Sequence, residues 1–233
     1  MDTTISALSA TTTYGTAPLR PGLVGGTGGL VFAGAVLVQN AMRAKFPAND
    51  VSAEEVMSYY ADHRTVTMAL AVMMPIGLVG LATFLGAVIA RVARSAGRAA
   101  AVTGAFGAAG IIATFTMLTA FDVAIAGYIH RGAANVAVVD GMWVVHNAVF
   151  GFLLASIGVA LAGLARASVA SGLLSTRWNH AGLIGGGLLL AGAATTPAII
   201  DGSPTMFIGV VGFVVWVAFV IRTSVALLRQ PNV

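Results

Sequence analysis

Apolar residues run along this chain in six long blocks, at about 22–42, 66–90, 99–128, 142–165, 181–200 and 205–228. Polar residues are confined to the intervals between them. A helix that crosses a bilayer needs roughly 20 mainly apolar residues at 1.5 Å rise each. The blocks are continuously apolar rather than alternating, which excludes a transmembrane β-barrel. The expected fold is therefore all-α: a polytopic membrane protein, a bundle of six transmembrane helices. Residues 1–21 read as a polar cytoplasmic tail, 22–229 as one transmembrane domain and 230–233 as a C-terminal tail. The first of these lacks the basic start and short apolar core of a secretory signal.

The longest polar interval, Arg43 to Arg64, carries its own helical pattern. Ser52 followed by Glu55 makes a capping box, and Glu54 and Glu55 sit where a helix dipole favours negative charge. Ala53, Val56, Met57 and Tyr60 recur at helical spacing and form one apolar stripe. A short amphipathic helix over about 52–63 is expected in this first loop. It acts either as a lid on the bundle or as a partner-docking surface through Glu54, Glu55, Tyr59, Tyr60 and His63.

Charge decides orientation. Lysines and arginines number eight on the side of the tails and even-numbered loops against four on the other. The positive-inside bias puts both termini in the cytoplasm, and the chain in the inner (cytoplasmic) membrane. The net charge of +4 is spread thinly over the loops, so it explains topology and not nucleic-acid binding. With no cysteine, disulfides and thiolate chemistry are excluded.

Within the spans, Gly22-x-x-x-Gly26, Gly25-x-x-x-Gly29, Gly104 with Ala108, Gly151 with Ala155, and Gly182-x-x-x-Gly186 are small-residue pairs. Helices in lipid gain little from the hydrophobic effect on association and pack through such residues. Pro75 removes one backbone hydrogen bond from the second span.

The costly residues are polar ones at membrane depth. Asp122 falls in the third span, where an ionised carboxylate costs roughly 2.5–3.5 kcal/mol on insertion scales. His146 and Asn147 enter the fourth span from the same, extracytoplasmic side, and Asn40 and Thr196 close the first and fifth at that level. Intramembrane polarity is thus gathered in the outer half, with almost none in the cytoplasmic half. Asp122, His146, Asn147, Asn40 and Thr196 form a candidate polar pocket, to bind a small polar or lipid ligand or relay a proton. Alternatively, they form a polar clamp that fixes helix register.

No HExxH, CxxC, GxSxG or Walker A sequence is present, so no enzyme, metal or cofactor is expected. The stretch from Phe46 to Arg64, FPANDVSAEEVMSYYADHR, resembles the first loop of a domain-of-unknown-function family of six-helix membrane proteins from GC-rich bacteria. Residues 146–151 (HNAVFG) and 172–178 (GLLSTRW) are similar to that family's later segments. The resemblance runs from the first span to Arg229, and implies a six-helix bundle but no reaction. The expected function is a non-enzymatic accessory or scaffold subunit of an envelope complex, of which lipid transport is one host. The alternative is a small transporter or ligand-sensing bundle built on Asp122 and His146. Its partners would be the lipid bilayer and other membrane proteins.

Overall fold

The computed structural model describes residues 20–43, 45–92, 95–132 and 135–230, and these are all-helical with connecting turns. The N-terminal tail up to residue 19 and the last three residues lie outside the described residues. In chain order the helices are α1 (Pro21–Met42), α2 (Ala53–Asp62), α3 (Arg64–Val92), α4 (Arg98–His130), α5 (Val136–Ala170), α6 (Thr176–Ala194), α7 (Thr196–Ile200) and α8 (Met206–Arg229).

Among the described residues, five helices (α1, α3, α4, α5 and α8) are long and apolar enough to cross a membrane. The sixth apolar block, expected as one span over 181–200, is divided. α6 starts earlier, on the polar run Thr176-Arg-Trp-Asn-His180, and stops at Ala194, before Pro197. Proline has no N–H, and its ring clashes with the carbonyl four residues back, which kinks or breaks a helix; α3 continues through Pro75, whereas here the helix stops. The carbonyl that Pro197 leaves without its donor, Ala193 O, accepts from the Thr196 hydroxyl at 2.6 Å, and the Thr195 hydroxyl donates to Gly192 O at 2.9 Å.

The six long helices form a closed ring in chain order, α1–α3–α4–α5–α6–α8, with α8 returning to α1. α5 also touches α3 and α8, and is the most buried of the long apolar helices. The small residues sit where this ring is tightest. A Cβ on Gly107 of α4 would lie 2.3 Å from the backbone nitrogen of Ala160 in α5, and one on Gly163 would lie 2.4 Å from that of Gly104. Gly25 and Gly28 of α1 meet Ala87 and Thr83 of α3 in the same way, and Gly182 of α6 meets Ala165 of α5. Close backbone approach of this kind supplies dispersion contacts that lipid cannot replace.

At about 1.5 Å per residue, the 33 residues of α4 and 35 of α5 reach roughly 50 Å, well beyond the ~30 Å hydrocarbon core. Their overhanging ends give α2 a surface to pack on. Val56 and Tyr60 of α2 form a second core with Ile125 and Ala126 of α4 and Val139 and Trp143 of α5. Ser52 caps α2 by accepting from the Glu55 backbone N–H at 3.3 Å. The helix then breaks at His63, and α3 begins at the next residue.

Candidate functional site

Four elements converge at the α2 end of the bundle. Asp122 is carried on α4 about two turns before its C-terminus and is 3% exposed. The Tyr60 hydroxyl donates to its Oδ1 at 2.6 Å, and Arg43, just past the end of α1, donates from Nη2 to its Oδ2 at 2.5 Å. His146 of α5 sets Nε2 3.3 Å from Oδ1, at ion-pair distance but off the line of a hydrogen bond. On the other face of its ring, Nδ1 stands 3.3 Å from Asn147 Oδ1, while Asn147 Nδ2 donates to the Asn49 carbonyl at 3.2 Å.

Aromatic rings wall this cluster. Trp143 stacks on His146, with centroids 4.9 Å apart and planes within 7°. Phe46 touches Tyr59, Tyr60, Trp143 and His146, and the Arg43 guanidinium lies 4.9 Å above its ring. Such walls exclude water, which strengthens each charged contact inside them and raises the cost of leaving one unmade. Burial, and then the neighbouring Asp122 carboxylate, push the Tyr60 hydroxyl well above its ordinary range. It stays protonated and remains a donor.

Two cavities border the cluster. A mainly apolar groove of about 180 Å³ runs between α1, α4, α5 and α8, with Gln39, Asn40 and Arg43 at one end and Leu118, Leu153 and Phe213 along its length. A larger chamber of about 530 Å³ lies under the α1–α2 and α7–α8 connections; its lining is mainly apolar, with Phe46, Ile199 and Phe207, and Asn49, Asp50, His146 and Asn147 supply its polar groups. Arg43 and Phe150 line both. α1 and α8 are pinned at their other ends, where Gly29 meets Ser224 and Gly26 meets Leu228. Val210 and Phe213, on the first half of α8, reach the groove.

The structure therefore brings Asp122, His146 and Asn147 together, as their depths imply. Asn40 stays apart, bonding its own helix at Val36 O (2.8 Å) and lining only the groove. Thr196 is also apart: its side chain packs against Gly151, holding α7 on α5. Of the loop residues grouped as a docking surface, Glu54 and Glu55 are exposed, and Tyr59 stacks on His63 at 4.4 Å. Tyr60 does not belong with them, because it is fully buried and serves Asp122. The other half of the bundle is also less apolar than its sequence suggests, since Ser168, Thr223 and Ser224 are all buried there.

Sequence reasoning missed Arg43, Phe46 and Trp143. A signal existed for Arg43: an intramembrane Asp needs a cationic partner, and Arg43 follows the polar pair Gln39-Asn40 at the end of the first span, on the same side as Asp122. No family model, curated protein or solved structure matches the chain.

Proposed function

We propose that this chain is a six-span protein of the cytoplasmic membrane, with both termini cytoplasmic, that works as a small ligand-binding bundle, a carrier or sensor. It takes up an amphiphile at its extracytoplasmic end. The observation that carries this reading is Arg43: Asp122 holds one edge of its guanidinium, while the same side chain borders both cavities, each of mainly apolar lining with a few polar groups beside Arg43. A guanidinium has five N–H donors in a fixed fork. Anchoring one of them leaves others to meet a ligand head group, with the groove to take an apolar tail.

The sixth crossing is α6. Its early part packs on the later part of α5 through Gly182 and Ala165, and its late part meets the start of α8 through Gly192 and Gly209. Its 19 residues rise roughly 28 Å, of which the apolar part, 181–194, accounts for about 21 Å, and α7 continues in the same direction of the chain toward the far surface. The resemblance of residues 46–64 to the first loop of a six-helix family agrees with this count. The scaffold reading stands second: Gly25, Gly28, Gly104, Gly107, Gly182 and Gly186 all meet helices of the same chain, and Gly34, Gly86 and Gly187, which face open space, lie singly on three different helices.

The test is calorimetric titration of the protein in nanodiscs with decyl sulfate, decanol and decyltrimethylammonium. Saturable binding of at least one amphiphile is expected in the wild type. It should be lost in Val210→Trp, which narrows the groove from an exposed position of α8. Equal, non-saturating uptake by both proteins would reflect partition into the bilayer and would sink the reading.

A further inference from the structure

Where α3 borders α1 it carries one continuous stripe. Ile76, Gly80, Thr83, Ala87 and Ala90 follow at alternating spacings of four and three residues, which keeps them on a single helix face, and Arg91 adjoins the last of them. Gly25 and Gly28 of α1 and Gly80 of α3 let the two backbones approach closely. The larger side chains beside this contact, Leu23, Val24, Val31, Ile76 and Val79, are all exposed and flank an open apolar crevice of about 630 Å³. Its α3 wall, from Pro75 to Thr83, rises about 12 Å, close to the ~15 Å depth of one hydrocarbon leaflet.

One turn beyond Thr83, at Ala87, a second cavity begins. It measures about 270 Å³ and lies between the first turn of α1 (Pro21, Gly22), the last turns of α3 and the end of α8, with Leu173 of the α5–α6 connection in its wall. The Arg91 guanidinium lines it. Arg91 Nη2 donates to Gln230 Oε1 at 3.1 Å, whereas Nη1 is buried and meets no acceptor among the described residues. A guanidinium keeps its proton at any ordinary pH, so this donor is satisfied only by an incoming oxygen.

No carboxylate is there to supply one. Among the described residues the acidic side chains fall in the α1–α2 loop and α2, late in α4, at the start of α5 and after α7, all toward the other end of the bundle. Around Arg91 the same end carries Arg20, Arg98, Arg166, Arg177, Arg222 and Arg229, all exposed and none in an ion pair. Arg43 has Asp122 as its counter-charge; Arg91 has none.

We infer that the crevice and the cavity together bind an anionic phospholipid of the adjoining leaflet, with its phosphate against Arg91 and one acyl chain between α1 and α3. A phosphate offers the fork of a guanidinium two oxygens at once, and a small turn of the side-chain end gives Nη1 its acceptor. The surrounding arginines concentrate anionic lipid at this surface, and a basic cavity between helix ends holds its head group. A free phosphate would leave the crevice unused, although α3 joins the two along one stripe. The site is at the opposite end of α1 from Arg43 and does not rest on the amphiphile reading above.

Native mass spectrometry of the protein released from nanodiscs, made of equal parts phosphatidylcholine and phosphatidylglycerol, counts the lipids it retains. One phosphatidylglycerol should stay bound in preference to phosphatidylcholine, whose choline would be brought among the arginines. Arg91→Gln should lower that occupancy about tenfold, the order expected for one lost charged contact. Val79→Trp, which fills the crevice from an exposed position, should lower it as well. Arg229→Gln removes the same charge from the exposed surface of this end, and Val210→Trp narrows the groove at the other end; both should retain the lipid as the wild type does. Equal retention of the two lipids, or equal losses in Arg91→Gln and Arg229→Gln, would mean diffuse attraction and overturn the inference. Displacement of the lipid by millimolar glycerol 3-phosphate would reassign the cavity to a free phosphate and overturn it too. Should Arg91→Gln fail to fold, the wild-type preference and Val79→Trp still decide.

Discussion

Tyr60 and Asp122, separated by 62 residues in sequence, meet through a 2.6 Å hydrogen bond in which the phenol donates to a buried carboxylate. That bond ties the short α2 helix to the membrane-embedded part of α4. It makes the first loop a structural part of the site.

Removing the Tyr60 hydroxyl should loosen this tie without emptying the core. Tyr60→Phe keeps the ring against Phe46 and Val139's cluster but strips one donor from Asp122. A loss of about 0.6–2 kcal/mol is expected, the spread found for side-chain hydrogen bonds between membrane helices. Tyr59→Phe, at a half-buried ring, should cost less. Thermal unfolding in mild detergent measures both.

The raised Tyr60 ionisation has a definite consequence at alkaline pH. The unfolded chain gives up this proton above about 10, whereas the folded chain keeps it. The folded state then binds more protons than the unfolded one, so stability falls as pH climbs past that point. Of the four tyrosines, Tyr60 should stay silent in a phenolate absorbance titration until the protein unfolds. Tyr60→Phe should leave the folded titration unchanged and remove one phenolate from the unfolded one.

The α4–α5 seam should be the least forgiving place in the molecule. Gly107→Val puts a branched side chain where a single Cβ already meets Ala160 backbone at 2.3 Å, so the two helices must separate. Expression of folded protein should collapse. Gly127→Ala, on the same helix but with open space around its Cβ, should be neutral or slightly stabilising. Detergent size-exclusion profiles of the two variants compare them directly.

Much of this protein is written along the chain in one dimension. In hydrocarbon each backbone N–H and C=O must be bonded within its own segment. Twenty-odd apolar residues in a row therefore mean a helix whatever surrounds them, and five of the expected blocks became long helices on that ground alone. The capping of α2 by Ser52 is equally local, because it depends on residues three apart. The depth of Asp122, His146 and Asn147 could be read the same way, since position along a helix converts directly into height.

Rotation about the helix axes and neighbour order could not. Which helices adjoin is set by where glycine lets two backbones touch, as Gly107 and Gly163 do between α4 and α5. Those contacts turn Asp122 toward α5 and leave Thr196 packing on Gly151. Arg43, Phe46 and Trp143 join the site only because α1 ends beside α4 and α2 folds back over both α4 and α5. Apolar hydropathy is a property of a segment and survives any arrangement of its neighbours. A charge finding its counter-charge is a property of the assembled bundle, because Coulomb attraction and hydrogen-bond angle depend on distances that no single helix contains.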